Sequence, residues 1–396
     1  MTTPDTLGPP RLSLAALFLK FLRFGFLAFG GPVAQIAMIR RTLVDEERWI
    51  SSPRFNRLLA VMQALPGPEA HELCVHMGMM ARGRIGGALA GLGFMLPGFV
   101  LMLSAAWLYE RYIAGQAGLT GLLLGVQIVV VAIIIRAVQR IGAHVLEDRL
   151  LWVLAIAAFV GALLHAPFWI PLVACGLIYA LERRPWAGAV VAAVAVLTAI
   201  LLGVGPGEAP PVLRLSSEPS PPIAALFIAG LKGGLLTFGG AYTAIPYVRA
   251  DTVGRGWLPD GVFLDGVAIA GVLPAPLVIF GTFTGYVVGG GAGALAVTAG
   301  IFLPAFAFSL VLFNHLEAVV ENPALHRLLA GVAAAVVGVI AAASLQLAWT
   351  TAQSASSLWI AGLIFIAALV AAWWLKPRWT PLLILGGGMA GSVALS

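Results

Sequence analysis

Long runs of apolar residues constrain the fold of this chain more than any other feature. A helix needs about 20 predominantly apolar residues to cross a bilayer, although shorter or tilted helices are tolerated. Such runs recur in both halves, at Leu12–Gly31, Ile85–Leu108, Leu119–Ile135, Leu150–Leu164, Trp186–Val204, Ile223–Gly240, Gly289–Phe313, Leu328–Ala348, Leu358–Leu375 and Pro381–Ala394. Charged residues make up only 10% of the chain, too few to cover a soluble domain of 396 residues. Because the runs lack the alternation of barrel strands, we predict an all-α polytopic membrane protein.

The net charge of +6 comes from arginines that cluster in short connections, such as Arg40–Arg41 and Arg183–Arg184. This pattern is typical of loops retained on the cytoplasmic side of a membrane. We therefore expect the lipid bilayer as partner and no nucleic acid. Cys74 and Cys175 lie far apart in apolar segments, so they predict neither a disulfide framework nor a metal knuckle.

Four short motifs recur in the same order in the two halves, which indicates a duplication. The offset between equivalent residues falls only from 209 to 206 along the chain. The pairs are Phe29-Gly30-Gly31 with Phe238-Gly239-Gly240, Leu65-Pro66-Gly67-Pro68 with Leu273-Pro274-Ala275-Pro276, Phe94–Phe99 with Ile301–Phe306, and Leu122–Val126 with Leu328–Val332. We predict an N-terminal repeat over residues 12–183, a linking helix and Pro-rich loop over 184–222, and a C-terminal repeat over 223–396.

The second repeat is predicted to be inverted with respect to the first. Each half holds about six candidate crossings, and the linking run Trp186–Val204 has no counterpart. An even number of crossings followed by one linking helix would start the second half on the opposite side of the membrane. The loop over residues 40–57 carries five arginines against three acids, whereas its counterpart over 249–265 carries two arginines against three aspartates. Opposite net charge in equivalent loops is typical of inverted repeats. If residues 53–82 form a re-entrant hairpin, the count becomes five and the halves would be parallel.

Breaks in apolar helices at equivalent places of two repeats are the best sequence indication of a transport site. Proline cannot continue a helix at Pro66-Gly67-Pro68, and a new helix is predicted to begin near Glu69. The free amides at its N-terminus would favour an anion. A simple kink is the alternative, but the break recurs at Pro274-Ala275-Pro276.

The first helix of each half is predicted to break at its Phe-Gly-Gly motif, and two cations precede these motifs at equivalent positions. Arg23 and Lys232 each lie six residues before the motif's phenylalanine. A charge within an apolar run is costly and indicates function, although a long side chain can also reach the membrane surface. We predict that the binding site of an anion comprises Arg23, Gly30, Gly31, Gln63, Gly67, Glu69, Lys232, Thr237, Gly239, Gly240, Tyr242 and Thr243.

A cation-binding alternative rests on Glu69, His71 and His76. His71-Glu72 followed by His76 has a histidine spacing of five, whereas a zinc peptidase helix needs four. No metal site is therefore predicted, although a divalent metal-cation carrier that uses these residues stays open as the second function. Glu69 is also a candidate to pair with Arg23 or Lys232, or to take a proton during transport.

In these motifs the chain resembles the chromate ion transporter family in its long, two-domain form. The resemblance is carried by Phe24-Gly25, Phe29–Pro32, Trp49, Gln63–Ala70, Gly78, Gly83, Gly86-Gly87-Ala88, Phe94–Phe99, Phe238–Tyr242 and Leu273–Pro276. It covers roughly residues 14–345. His71, Glu72 and His76 depart from the family's pattern.

The resemblance implies a bacterial or archaeal inner-membrane protein, with halves of opposite topology, that exports chromate. Sulfate is a close structural analogue of that oxyanion. We expect a secondary transporter that works by alternating access, uses no cofactor and is not an enzyme, because the chain has neither a nucleotide-binding motif nor a catalytic constellation at recognisable spacing. A homodimer stays open as a further partner.

Overall fold

Every regular element of the computed structural model is helical in the residues that it describes, which are 8–167, 169–201, 221–238, 240–311, 323–375 and 379–395. The α-helices are α1 (Leu14–Phe26), α2 (Gly31–Arg40), α3 (Ser52–Ala64), α4 (Glu69–Tyr112), α5 (Thr120–Val145), α6 (Arg149–Leu163), α7 (Trp169–Ala180), α8 (Pro185–Leu201), α9 (Ile223–Leu235), α10 (Ile245–Thr252), α11 (Asp260–Val272), α12 (Phe280–Val311), α13 (Pro323–Gln353), α14 (Leu358–Trp374) and α15 (Thr380–Ala394). The predicted all-α fold is confirmed. The Pro-rich part of the predicted linker lies almost wholly outside the described residues.

Four helices, the first and third of each repeat, are too short to cross a bilayer. Helices α1, α3, α9 and α11 have 13 residues each, which is about 20 Å at 1.5 Å per residue, against a hydrocarbon core of about 30 Å. The first apolar run, Leu12–Gly31, is predicted to end as a helix in Phe29-Gly30-Gly31; its helix ends at Phe26. Gly30 and Gly31 have φ of 85° and 76°, a left-handed conformation that glycine adopts without steric cost.

After the glycine turn, α2 and the residues that follow it bring the chain back to the middle of α1. Lys20 in the middle of α1 forms a salt bridge with Glu47 beyond the end of α2, and Phe21 packs edge-on against Trp49. Helices α1 and α2 therefore form a hairpin. The physical reason is that the two successive glycines allow a reversal that a residue with a Cβ would resist.

Helix α4 is also a hairpin and not one long span. Its backbone leaves the helical conformation at residues 82–83, which divides it into a first arm (69–81) and a second arm (84–112). A Cβ atom on Gly78 would lie 2.4 Å from the carbonyl oxygen of Gly86. In a continuous helix, residues eight apart are separated by about 12 Å, so the two arms must fold back on each other.

The second repeat contains the same hairpin in α12. The turn lies at residues 289–290 and divides α12 into a first arm (280–288) and a second arm (291–311). The glycine of this turn has φ of 60°, against 61° in α4. A Cβ atom on Gly285 would lie 2.4 Å from the carbonyl oxygen of Gly293. The equivalent residues of α4, Gly78 and Gly86, give the same distance. The duplication is thus confirmed in the backbone as well as in the motifs.

Equivalent helices of the two repeats run in opposite directions. Along the contact between the second arms of α4 and α12, Gly87 contacts Leu310 and Gly91 contacts Phe306. The residue numbers increase along one arm as they decrease along the other, so the two arms are antiparallel.

Helices α5 and α13 are antiparallel in the same way, since Gly142 near the end of α5 lies beside Val337, whereas Ile128 nearer its start lines one pocket together with Thr351. The predicted inverted repeat is confirmed. Residues 52–81 form two half-length helices, which by themselves would have made the two repeats parallel. The repeats are nevertheless antiparallel, because α1 and α2 form a second pair of helices that returns to the side of the molecule where it began.

One face of the molecule carries a cluster of seven arginines from the first repeat. The start of α1, the start of α3 and the turn of α4 lie together there, since Arg82 donates a hydrogen bond to the Leu12 carbonyl oxygen and Arg40 donates one to the Ser52 hydroxyl group. We call this the arginine-rich face. It carries Arg40, Arg41, Arg48, Arg54, Arg57, Arg82 and Arg84. The second arm of α4 leaves this face and α5 returns to it.

Candidate functional site

The chain breaks of the two repeats meet at the centre of the molecule. The Gly67 amide donates a hydrogen bond of 2.8 Å to the Thr237 carbonyl oxygen, across the repeat boundary. The buried side-chain amide of Gln35 donates to two carbonyl oxygens, that of Ala28 at 2.9 Å and that of Ala275 at 3.0 Å. These bonds use the backbone groups that the breaks leave without helical partners. The repeats are therefore joined by polar contacts at their break points.

A cavity of about 240 Å³ lies beside these breaks. Its polar lining comes from the glycine turn of the first repeat at Gly30 and Gly31, from Tyr242 of the second repeat, and from Arg136 and Arg140 on α5. The remaining lining residues are mostly apolar: Pro32, Val33, Ile133, Ala270, Gly271, Leu273, Ala275, Leu277, Ala372, Trp373, Leu375, Trp379, Thr380 and Leu383. Two guanidinium groups in such a cavity favour a negatively charged occupant.

Arg136 and Arg140 lie one turn apart in the last three turns of α5. Arg136 is half-buried, and its guanidinium group lies 5.0 Å from the ring centroid of Trp373, within cation–π distance. It donates a hydrogen bond to Gln139, but its Nε atom is buried with no hydrogen-bond partner among the described residues. A tetrahedral oxyanion has the acceptor oxygens that such a donor needs.

These two arginines were missed by the sequence analysis, although the signal was present. Both lie inside an apolar helix of 26 residues, four residues apart and on the same face of the helix. Charge at such a position indicates function by the argument that was applied to Arg23. They have no cationic counterparts in the second repeat, so a comparison of cations at equivalent positions of the two repeats does not identify them.

Of the twelve predicted site residues, Gly30, Gly31 and Tyr242 line the cavity. The two threonine hydroxyl groups are engaged with the backbone near them: Thr237 donates to the Gly233 carbonyl oxygen at 2.6 Å, and Thr243 donates to that of Gly240 at 2.7 Å. Gly239 lies outside the described residues. Gly67 lies at the junction of the repeats but not in the cavity wall.

The predicted cation pair is not brought together. Arg23 is exposed on α1, and Lys232 forms a salt bridge of 3.0 Å with Asp251, which also accepts a hydrogen bond from Arg255 at 2.8 Å. Neither Arg23 nor Lys232 lines the cavity. The inversion explains the separation, because equivalent residues before the two glycine turns approach the centre from opposite faces.

The acidic and histidine residues after the first break are buried but form no metal centre. Glu69 is 6% exposed, and its carboxyl group is hydrogen-bonded by the side chain of Gln63. The His71 ring packs edge-on against Phe302 and Phe306, with centroid distances of 4.9 and 4.7 Å. Within the described ranges no group of three or more His, Cys, Asp and Glu side chains is placed to hold a metal ion. The divalent-cation alternative is not favoured.

Comparison with known proteins gives matches over nearly the whole chain. The family described as Chromate transporter matches twice, at residues 15–181 and 224–392. A chromate transport protein of Pseudomonas aeruginosa is 55% identical over 388 residues, covering 97% of this chain and 93% of the relative. A chromate transport protein of Cupriavidus metallidurans is 30% identical and covers 97% of this chain and 94% of the relative.

More distant relatives extend to the archaea. An uncharacterised transporter of Methanocaldococcus jannaschii is 26% identical and covers 89% of this chain and 88% of the relative. No solved structure matches the chain significantly. The two family matches coincide with the two structural repeats described above.

Proposed function

Because the chain belongs to the chromate transporter family, we propose that it exports chromate from the cytoplasm through the central cavity by alternating access. The substrate is a divalent tetrahedral oxyanion, and sulfate is expected to compete for the same site. The observation that carries the proposal is the cavity between the repeats, in which Arg136 and Arg140 face the glycine turn of the first repeat.

The chemistry of the cavity supports a divalent anion. Two guanidinium groups can balance two negative charges, and each offers several N–H donors to tetrahedrally placed oxygens. The turn at Gly30 and Gly31 has no side chains, so an anion can approach the backbone closely. The phenol of Tyr242 supplies a further donor. The rest of the cavity lining is mostly apolar; Arg136 is half-buried in it, whereas Arg140 is exposed.

The arrangement of arginines supports an outward direction. Under the positive-inside rule the arginine-rich face is the cytoplasmic one. Helix α5 ends on that face, and the cavity extends towards the connection between α14 and α15, where Trp373 and Trp379 line it. Chromate would therefore enter from the cytoplasm. A membrane potential that is negative inside drives an anion outward by roughly 2.3 kcal/mol per charge per 100 mV.

Alternating access follows from the inverted repeats. Two related units of opposite orientation can exchange conformations, and that exchange would close the cavity towards one face and open it towards the other. On the face opposite the arginine-rich one, Lys232 and Arg255 form salt bridges with Asp251, and Arg249 forms one with Asp260, all within the second repeat.

The test is chromate uptake by everted membrane vesicles, in which export becomes uptake. We expect the intact protein to load the vesicles, sulfate to compete, and an Arg136→Gln/Arg140→Gln variant to lose loading. The matched variant is Arg23→Ala/Lys232→Ala, which removes the two cations predicted from the sequence. Both variants must be present in the membrane at the level of the intact protein.

The two double variants separate the possible outcomes. Loss of uptake in the first and its retention in the second would support the cavity as the anion site. The reverse result would reject the cavity and favour the cation pair before the glycine turns. Absence of chromate uptake by the intact, folded protein would refute the proposed function itself.

A further inference from the structure

Glu72 is a fully buried carboxyl group at the interface between the two repeats. It lies on the first arm of α4, where a Cβ atom on Gly67 would come within 2.2 Å of its Oε1 atom. The second arm of α12 packs against the same turn, since the Ser309 hydroxyl group donates to the Glu72 carbonyl oxygen at 3.3 Å. Neither carboxyl oxygen has a hydrogen-bond partner among the described residues.

The helices packed on Glu72 present apolar surfaces to it. The second arm of α4 contains no ionisable residue from Ile85 to Leu108, and the second arm of α12 contains none at all. His71, the preceding residue, packs its ring against Phe302 and Phe306. The surroundings therefore supply no counter-charge from these two arms.

The charged groups on the other neighbouring elements do not neutralise this carboxyl group. Glu69, one turn earlier on the same arm, is another acid and cannot serve as a counter-charge. Arg54 of α3 lies near His76, one turn further along the arm. On α1, Lys20 is held in its own salt bridge and Arg23 is exposed. Glu72 itself forms no salt bridge with any described residue.

A carboxylate in such a place is strongly disfavoured, because burial removes its hydration and nothing replaces it. The protonated acid is neutral and has a much smaller desolvation cost. A sodium or divalent cation would need several oxygen ligands around it, whereas neither Glu72 carboxyl oxygen has a hydrogen-bonding group of the described residues beside it. A proton is the one cation that the carboxyl group can take alone.

The buried carboxyl group is connected to the anion cavity through the junction of the repeats. Gly67 lies against it and donates a hydrogen bond to the Thr237 carbonyl oxygen. Thr237 directly precedes the Phe238-Gly239-Gly240 motif in the sequence, and Tyr242, two residues after that motif, lines the cavity. Movement of one repeat against the other would break the Gly67 hydrogen bond and uncover Glu72. Exposure of the carboxyl group and rearrangement of the cavity are thus parts of one movement.

We propose that Glu72 is a proton-binding site that couples proton movement to anion transport. The proposal rests on the transport function proposed above. The ionised carboxylate is compatible only with a conformation that exposes it to water, so it must take up a proton, forming the neutral acid, before the repeats close to the conformation described here. The acid releases that proton when the repeats separate again towards the other aqueous compartment.

The experiment uses purified full-length protein in liposomes with a trapped fluorescent pH indicator and radioactive chromate. Potassium and valinomycin hold the membrane potential at zero, so that proton movement cannot simply follow the charge of chromate. We expect the wild-type protein to load chromate with a simultaneous change in lumen pH. The sign of the change reports whether the proton travels with the anion or against it.

Glu72→Gln is the decisive variant, because glutamine resembles the protonated acid in size and charge. We expect it to load chromate without a change in lumen pH. We also expect it to lack the slowing at high pH that the proposal predicts for the wild type. Glu110→Gln is the matched control, since Glu110 is an exposed carboxyl group near the end of α4. It should keep the pH signal of the wild type.

Each remaining outcome counts against the inference. A pH signal that survives in Glu72→Gln places the proton elsewhere, and chromate loading by the wild type without any pH signal excludes coupling. Failure of a folded Glu72→Gln protein to load chromate also refutes it, because the neutral side chain should permit the cycle. If the wild type does not load chromate, the proposed function falls and this inference falls with it.

Discussion

Gly67→Ala is expected to destabilise the junction of the two repeats. Gly67 has φ of 148°, in a region that side chains with a Cβ rarely adopt. An added Cβ would lie 2.2 Å from the Glu72 Oε1 atom and 2.9 Å from its Cδ atom. The alanine therefore meets two separate obstacles, one in its own backbone and one in a buried side chain.

The expected loss can be worked from these contacts. A non-glycine residue in this backbone region costs about 1–3 kcal/mol, and overpacking a buried site costs about 1–3 kcal/mol more. If the backbone shifts, the hydrogen bond from Gly67 to Thr237 is also lost, at about 0.5–1.5 kcal/mol. The total is roughly 2–7 kcal/mol.

Thermal unfolding in detergent measures this loss, with Gly83→Ala as the control. Gly83 also has a positive φ, of 61°, but an added Cβ there would have no atom within 4 Å. Its substitution should cost only the backbone term of about 1–2 kcal/mol. Equal losses in the two variants would refute the packing argument.

A double variant tests the contact itself. Removal of the Glu72 carboxyl group relieves the clash, so Gly67→Ala should cost less in a Glu72→Ala background than in the wild type. The coupling between the two substitutions is expected to be about 1–3 kcal/mol. Strict additivity would show that Gly67 and Glu72 do not meet as described.

Two further predictions concern polar contacts away from the cavity. Tyr109→Phe removes the hydroxyl group that donates to Asp265 at 2.7 Å across the repeats, so thermal unfolding should show a loss of about 1–3 kcal/mol, and an unchanged midpoint would contradict this. Desolvation alone would raise the pKa of Asp148, but hydrogen bonds from Tyr179 and from the backbone of Leu151 hold that pKa below its ordinary value. Its stabilising contribution is then complete above the ordinary aspartate pKa of about 3.9 and is lost as the pH falls through the lowered value. Asp148→Ala should cost about 1 kcal/mol at neutral pH and show less acid sensitivity in pH-dependent unfolding; equal sensitivity would speak against it.

The sequence by itself determined the class of the protein, its duplication and the inversion of its repeats. Apolar runs with few charges can be buried only in lipid, and that requirement does not depend on tertiary contacts. The motif at Phe29-Gly30-Gly31 and its counterpart fixed the register of the repeats, because close backbone approach requires glycine wherever it occurs. Opposite charge in equivalent loops then predicted the inversion.

Only the tertiary structure decided which residues share a cavity. Arg23 and Lys232 are equivalent in sequence, but inversion sends equivalent residues to opposite faces. Arg136 and Arg140 have no counterparts and belong to a helix without a break, yet α5 carries them to the glycine turn. Contacts between distant segments depend on how helices pack, and local periodicity does not encode that packing. The same holds for Glu72, whose isolation results from apolar arms that lie more than 200 residues apart in the chain.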